Sequence, residues 1–331
     1  MCTSLTFKTQ DGNHFLARTM DFSLILNPNA IMYPRKYKWK LYQDKHSIEV
    51  NFAFLGIGQK FDGNYCAFAD GTNEKGFSCA SLYFPGYAIY SDKKSTSLLN
   101  IAPYEVVPYL LSKCETVKDA IKEIKKVNLM NVTLEEMQLL PPLHWIVADK
   151  SGNCIVIEPT ENGLVIKENP IGVMTNSPEF NWHMTNLRNY VGINPLKKKE
   201  VTLGNVTFKP LSQGSGTLGL PGDFTSPSRF VKTVFAKYAS TDCKDEIEGI
   251  TNIFHILEGV TIPKGNVITE YNKIDYTQYT SCFNLDKGIL YYKTYDNSQL
   301  IAVSLCNENL DSNDIKSWNM TFKQNIKFSN N

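Results

Sequence analysis

The chain opens MCTSLTFKTQDGNHFLARTMDF, with a cysteine directly behind the initiator methionine. The opening has no charged n-region and no apolar h-segment, so a secretory signal or a lipoprotein-type anchor is not expected to explain Cys2. Removal of Met1, which a small second residue permits, would give Cys2 both a thiol and an α-amino group. An ordinary terminal amine titrates at about 7.7–8.0, so it can accept the thiol proton directly or through one water. The thiolate so formed is the nucleophilic state of cysteine. Cys2 is thus a candidate attacker carrying its own base, and the competing reading is a small buried residue.

The residues that follow could tune this chemistry. Asp11-Gly12 between residues 3–8 and 14–20 is a two-residue hairpin signal. With that loop Gln10 faces Asn13, and Cys2 lies opposite Asp21, whose carboxylate would orient the amine. Arg18 is three positions before Asp21, so strand alternation puts it on the other face. A bulge near Thr19-Met20 is needed to bring both to Cys2, and Asp21 is the better-supported partner. The alternative is a surface ion pair between Arg18 and Asp21.

The elements that must carry these residues are mostly strands. LHWIVADKSGNCIVIEPTENGLVIKE (143–168) divides into three at Ser151-Gly152-Asn153 and Glu161-Asn162-Gly163. YTQYTSCFNLDKGILYYKTYDNSQLIAVSL (276–305) divides into three more at Asp286-Lys287-Gly288 and Asp296-Asn297. Such short turns join antiparallel strands. A helix is expected from near Pro103 through YEVVPYLLSKC, with a kink at Pro108. Thr116 and Asp119 form a capping box ahead of VKDAIKEIKKV. Ser226 reads as an N-cap with Pro227 at the first helical position, and Phe230, Val231, Val234, Phe235 and Tyr238 make the apolar stripe. A further amphipathic helix covers 245–257. Sheets covered by helices are the expected architecture. No repeat or linker divides the chain, so one domain over 2–331 is expected.

Composition narrows the function. Lys plus Arg number 34 against 33 acids in 331 residues, which leaves no basic footprint for nucleic acid. No apolar run approaches the ~20 residues of a membrane span, so no membrane partner and a cytoplasmic setting are expected. The eight cysteines and five histidines form no metal-ligand spacing, and no metal or cofactor is expected. GSGTLG (214–219) matches G-x-G-x-x-G, but Leu220-Pro221-Gly222-Asp223 follows where a helix should open. It reads as a loop shaping a pocket.

The chain as a whole resembles the choloylglycine hydrolase family, over residues 2–325. The resemblance rests on Cys2, LARTMDF (16–22), NEKGFSCASLYFPGY (73–87), IGVMTNSPEFNWHMTNLRNYVGI (171–193), GLPGDFTSPSRF (219–230) and DYTQYTSC (275–282). It implies an N-terminal-nucleophile hydrolase with an α+β, four-layer αββα fold of two antiparallel sheets. It also implies that Cys2 is nucleophile and base, tuned by Arg18 and Asp21. Asn176 and the backbone N–H of Tyr83 resemble the oxyanion donors, Asn73 a support for their strand, and Arg229 the remaining active-site arginine. Bile salt hydrolases usually have asparagine where this chain has Tyr83, and penicillin V acylases have tyrosine. The expected activity is therefore penicillin V acylase-like hydrolysis of a small N-acyl amide, through a thioester on Cys2. Conjugated bile salts are the alternative substrates and N-acyl homoserine lactones a third. Met20, Phe61 and Tyr65 are candidate acyl-pocket walls. A non-catalytic binder of the same fold would lack Cys2, Asn176 or Arg229, and all three are present. A homotetramer is expected from the family.

Overall fold

A computed structural model describes residues 1–42, 46–61, 65–135 and 138–330. The first part is all strand: β1 (Cys2–Lys8), β2 (His14–Phe22), β3 (Asn29–Tyr33), β4 (Lys38–Lys40), β5 (Ser47–Glu49), β6 (Phe54–Lys60), β7 (Cys66–Asn73), β8 (Phe77–Tyr83) and β9 (Leu99–Ile101). The middle runs α1 (Val106–Lys113), α2 (Val117–Ile124), β10 (Val127–Leu129), β11 (Leu143–Asp149), β12 (Cys154–Thr160), β13 (Gly163–Glu168), β14 (Val173–Met174) and α3 (Phe180–Asn186). It closes with β15 (Val201–Leu203), β16 (Val206–Phe208), α4 (Ser226–Ala239), α5 (Glu246–Glu258), β17 (Tyr276–Asn284), β18 (Ile289–Thr294), β19 (Asn297–Ser304) and β20 (Lys316–Asn319).

Two antiparallel sheets dominate. One has the order β14-β1-β2-β17-β18-β19, the other β13-β12-β11-β8-β7-β6-β3-β20. Alternation along β11 shows how the layers form. Ile146 and Ala148 pack between the sheets with Leu16 and Phe283. Trp145 and Val147 turn the other way, into a core with Val107, Leu110 and Leu111 of α1. Helices α4 and α5 contact β1 on the far side of the other sheet. The result is an αββα sandwich, as expected. Among the described residues, no helix is long and apolar enough to cross a membrane.

Several local expectations need correction. The first hairpin has a three-residue loop: the Thr9 N–H donates to the Asn13 carbonyl, and Gly12 takes φ +91°. Glycine reaches that left-handed conformation without a Cβ penalty. Cys2 therefore pairs with Met20, not Asp21. The Asp21 N–H instead donates to the Met1 carbonyl at 3.0 Å. No bulge interrupts β1–β2; the irregularity lies in β17, between Thr277 and Tyr279. Thr225, not Ser226, is the N-cap of α4. Pro108 falls in the first turn of α1, where its missing N–H costs no helical hydrogen bond, and α1 runs through it to Lys113. The Thr116–Asp119 capping box forms as expected.

The close fit of α1 on the sheet depends on Gly71. A Cβ there would lie 2.7 Å from Leu111 Cδ1 and 2.9 Å from the Leu55 carbonyl oxygen. Asn73 fastens the same region, donating to the carbonyls of Leu111 (2.9 Å) and Cys114 (2.7 Å). Gly71→Ala is expected to destabilise by about 1–3 kcal/mol through overpacking, read as a lower denaturant midpoint at unchanged slope.

Candidate active site

The one-residue correction to the hairpin decides which side chains meet. In the observed register Ser4 pairs with Arg18 and Cys2 with Met20, so Cys2 and Arg18 share a face. Arg18 Nη2 lies 2.7 Å from Cys2 Sγ. The guanidinium is also 3.5 Å from Asp70 Oδ2 on β7, which accepts from the Ser281 hydroxyl at 3.0 Å. Burial pushes the Asp70 carboxyl up, with Arg18 opposing it. Asp70 was not singled out in the sequence. Its signal was an acid in the apolar strand CAFADGTN, because an acid is almost never fully buried unless paired.

Asp21 occupies the other face. Its carboxylate accepts from the Thr19 and Thr277 hydroxyls, and Arg229 Nη1 approaches to 3.9 Å. Burial raises its carboxyl, while Arg229 and the terminal ammonium oppose the shift. Arg18 and Asp21 are both buried and do not form the surface pair considered above.

Arg229 is buried in the first turn of α4 and joins three segments. Nη1 donates to the Cys2 carbonyl and the Thr3 hydroxyl, each at 2.6 Å, and Nη2 donates to Asn176 Oδ1 at 2.6 Å. Asn176 Oδ1 also accepts from the Cys2 backbone N–H at 2.9 Å. These two donors fix the amide orientation, and Nδ2 donates to the Tyr83 carbonyl at 2.7 Å. One Nδ2 hydrogen remains for another acceptor.

Ladder parity sets the direction of the Tyr83 N–H. Phe84 N–H donates to the Pro142 carbonyl, so Tyr83 and Leu143 form a non-hydrogen-bonded pair. The backbone N–H and carbonyl of Leu143 instead meet the Tyr90 hydroxyl, at 2.6 and 3.5 Å. Pairing of β8 with β7 ends at Asp70–Ala80. The Tyr83 N–H therefore points away from β11, on the side where its carbonyl meets Asn176.

Cys2 is only 3% exposed, yet it lines a cleft between the sheets. Arg18, Met20, Phe22, Ile57, Phe68, Tyr83, Tyr104 and Leu143 are among its walls. The Tyr83 and Phe22 rings meet edge-on at 5.8 Å. Of the expected walls, Met20 lines the cleft; Phe61 and Tyr65 pack behind it in a cluster with Tyr104. Among the described residues, no group of three or more His, Cys, Asp or Glu side chains is placed to hold a metal.

The αββα architecture, with Cys2 directly behind Met1 at the start of β1, is that of an N-terminal-nucleophile hydrolase fold. The family model for linear amide C–N hydrolases, choloylglycine hydrolase family, matches residues 2–318, and the chain belongs to that family. It is 40% identical to a bile salt hydrolase/transferase of Clostridium perfringens, over 100% of this chain and 99% of the relative. A bile salt hydrolase/transferase of Lactiplantibacillus plantarum is 39% identical over 96% of each chain. The crystal structure of a mutant conjugated bile acid hydrolase from C. perfringens superposes with a TM-score of 0.93 at 39% identity, covering 99% of this chain and 100% of that one. A penicillin V acylase of Pectobacterium atrosepticum is more distant, 26% identical over 66% of this chain and 54% of its own. These similarities favour the bile salt alternative over the acylase reading drawn from Tyr83.

Two buried histidines behind the site give it a pH response. Burial lowers His183 from the ordinary 6.5 to about 4, and lowers His144 despite Glu158 beside it. As pH falls from 6.5 towards 4, the unfolded chain binds protons that folded His183 refuses. The His183 contribution to stability is thus present above pH 6.5 and lost as pH falls through the folded value. Thermal melts between pH 7 and 4 should show a shallower fall for His183→Phe than for the wild type.

Proposed function

We propose that this chain hydrolyses conjugated bile salts, with Cys2 as nucleophile once Met1 has been removed. The observation that carries this reading is Cys2 Sγ facing an apolar cleft, 2.7 Å from Arg18 Nη2, in a chain 40% identical throughout to a bile salt hydrolase/transferase. The Arg18 guanidinium is placed to face the sulfur while it carries charge. Loss of Met1 would turn the backbone nitrogen beside Asn176 Oδ1 into the free α-amine, which takes the thiol proton.

The thiolate then adds to the amide carbonyl carbon. The spare Nδ2 hydrogen of Asn176 and the N–H of Tyr83 receive the developing oxyanion. The Cys2 ammonium returns its proton to the leaving amine as the C–N bond breaks, which leaves a thioester. Water, deprotonated by the same amine, attacks the thioester and releases the acid and the thiolate. Arg229 holds Asn176 Oδ1 and the Cys2 carbonyl throughout, and Asp21 balances its charge.

Apolar walls suit a steroid acyl group better than a charged one. A second reading, aryl-oxyacetyl amides such as penicillin V, is favoured by one observation: the Tyr83 ring stands in the cleft wall against Phe22 and narrows it. We also propose a cytoplasmic homotetramer. The exposed apolar residues Val201, Leu203, Val206 and Phe208 of the β15–β16 hairpin support an assembled state, which light scattering behind gel filtration would test.

Parallel assays with glycocholate, taurocholate and penicillin V test the substrate. The bile salts are expected to be cleaved with the higher kcat/KM, and a preference for penicillin V would reverse the assignment. Intact mass should show that the active protein lacks Met1. Cys2→Ala should fold and lose turnover. Asn176→Ala should lower kcat by ~10²–10³, the usual loss for one oxyanion donor.

A further inference from the structure

Asn176 stands just beyond the sheet that should hold it. β14 pairs with β1 only through Val173–Leu5 and Met174–Ser4, so residues 175 and 176 have no ladder partner. Side chains take over the backbone there. The Asn176 N–H donates to Ser226 Oγ at 3.0 Å, and its carbonyl meets His183 Nε2 at 2.9 Å. The Thr175 carbonyl meets His144 Nε2 at 3.1 Å.

His183 is itself fixed on several sides. It is buried, stacks on Phe230 at 4.7 Å with a 21° interplanar angle, and meets Trp182 edge-on. Phe230 follows Arg229, so the same turn of α4 supports the ring and supplies the guanidinium on Asn176 Oδ1. The start of α3 is pinned by Glu158, whose Oε1 accepts from the Phe180 N–H at 2.8 Å while Oε2 accepts from Lys167 Nζ at 2.9 Å. His183 Nδ1 has no hydrogen-bond partner. A carbonyl can only accept, so the ring proton resides on Nε2 and the imidazole acts as a fixed donor.

We propose that His183 is a positioning residue for the oxyanion site, aiming the Asn176 side chain by holding its own backbone carbonyl. The inference rests on the hydrolase reading of Asn176 and adds the device that replaces the missing ladder. The Cys2 thiol and Arg18 are held on the other side of Asn176, by contacts that do not involve His183. A fault in His183 should therefore weaken the transition state without disarming the nucleophile. An ångström of misplacement can cost ~10²-fold in rate.

The test compares His183→Phe, which keeps the stack on Phe230 but removes the donor, with His183→Gln, whose amide N–H reaches the same position. With glycocholate and penicillin V as substrates, His183→Phe should lower kcat by about 10–10² at nearly unchanged KM, and His183→Gln should recover most of it. In an Asn176→Ala background the His183→Phe change should have little further effect. Alkylation of Cys2 by iodoacetamide, followed by mass, should proceed at the wild-type rate in His183→Phe and His183→Gln. Equal kcat for His183→Phe and wild type, or a full loss persisting without the Asn176 side chain, would overturn the inference alone. Failure of the wild type on both substrates would instead refute the hydrolase reading. A substrate-free readout then decides the positioning claim: in protein labelled with ¹⁵N-asparagine, the Asn176 side-chain amide pair should shift with Phe and stay in place with Gln. An unmoved pair in His183→Phe overturns it.

Discussion

The pairing of β1 with β2 determines everything around Cys2. A strand has only two faces, so the register at Met20 settles which neighbours the sulfur meets and which the backbone nitrogen meets. With Cys2 across from Met20, the thiol looks into the space between the sheets and finds Arg18. The opposite face carries Thr3, Thr19 and Asp21 towards Arg229. Two buried cations are thereby kept apart, each with its own carboxylate: Asp70 for Arg18 and Asp21 for Arg229. Were the strands to slip by one, the thiol would change layers and both pairs would lose their geometry.

The surrounding fold holds this arrangement by joining distant segments at few points. Arg229 connects the start of β1, the turn after β14 and the first turn of α4. Gln278, beside the irregularity in β17, donates to the Phe22 and Leu24 carbonyls and accepts from the Leu26 N–H. That amide holds the chain leaving β2 along the cleft wall. The Arg229 hydrogen bonds are buried, and losing one leaves a partner unsatisfied at a cost of about 1–3 kcal/mol; those of Gln278 are partly buried.

Much of this was legible in the sequence, and the misses have physical causes. The triplets 143–168 and 276–305 could be read because glycine- and asparagine-bearing turns punctuate them. Strands β3, β6 and β7 could not: they are apolar on both faces, and Gly56, Gly58 and Gly71 dilute their strand character. Asp-Gly marked the first hairpin but serves two loop lengths. Its two-residue reading placed Asp21 beside Cys2 and turned Arg18 away, the reverse of what the side chains do. Arg229 was recovered through the family motif, and its place in a helix's first turn fits its role as a tie between segments. His183 carried no readable signal, because a lone histidine on a short helix reads as core until its carbonyl partner is known.

The early end of the β7–β8 ladder has a cost that belongs to folding rather than to catalysis. Beyond Ala80 the tip of β8 gives up its neighbour on one side, and the peptide dipole at Tyr83 faces the cleft. In the proposed mechanism an incoming carbonyl would meet a dipole already oriented by the sheet, leaving little solvent-like reorganisation for the moment of reaction. On that reading, the pairing that β8 forgoes at its tip is what leaves the Tyr83 peptide open to a substrate.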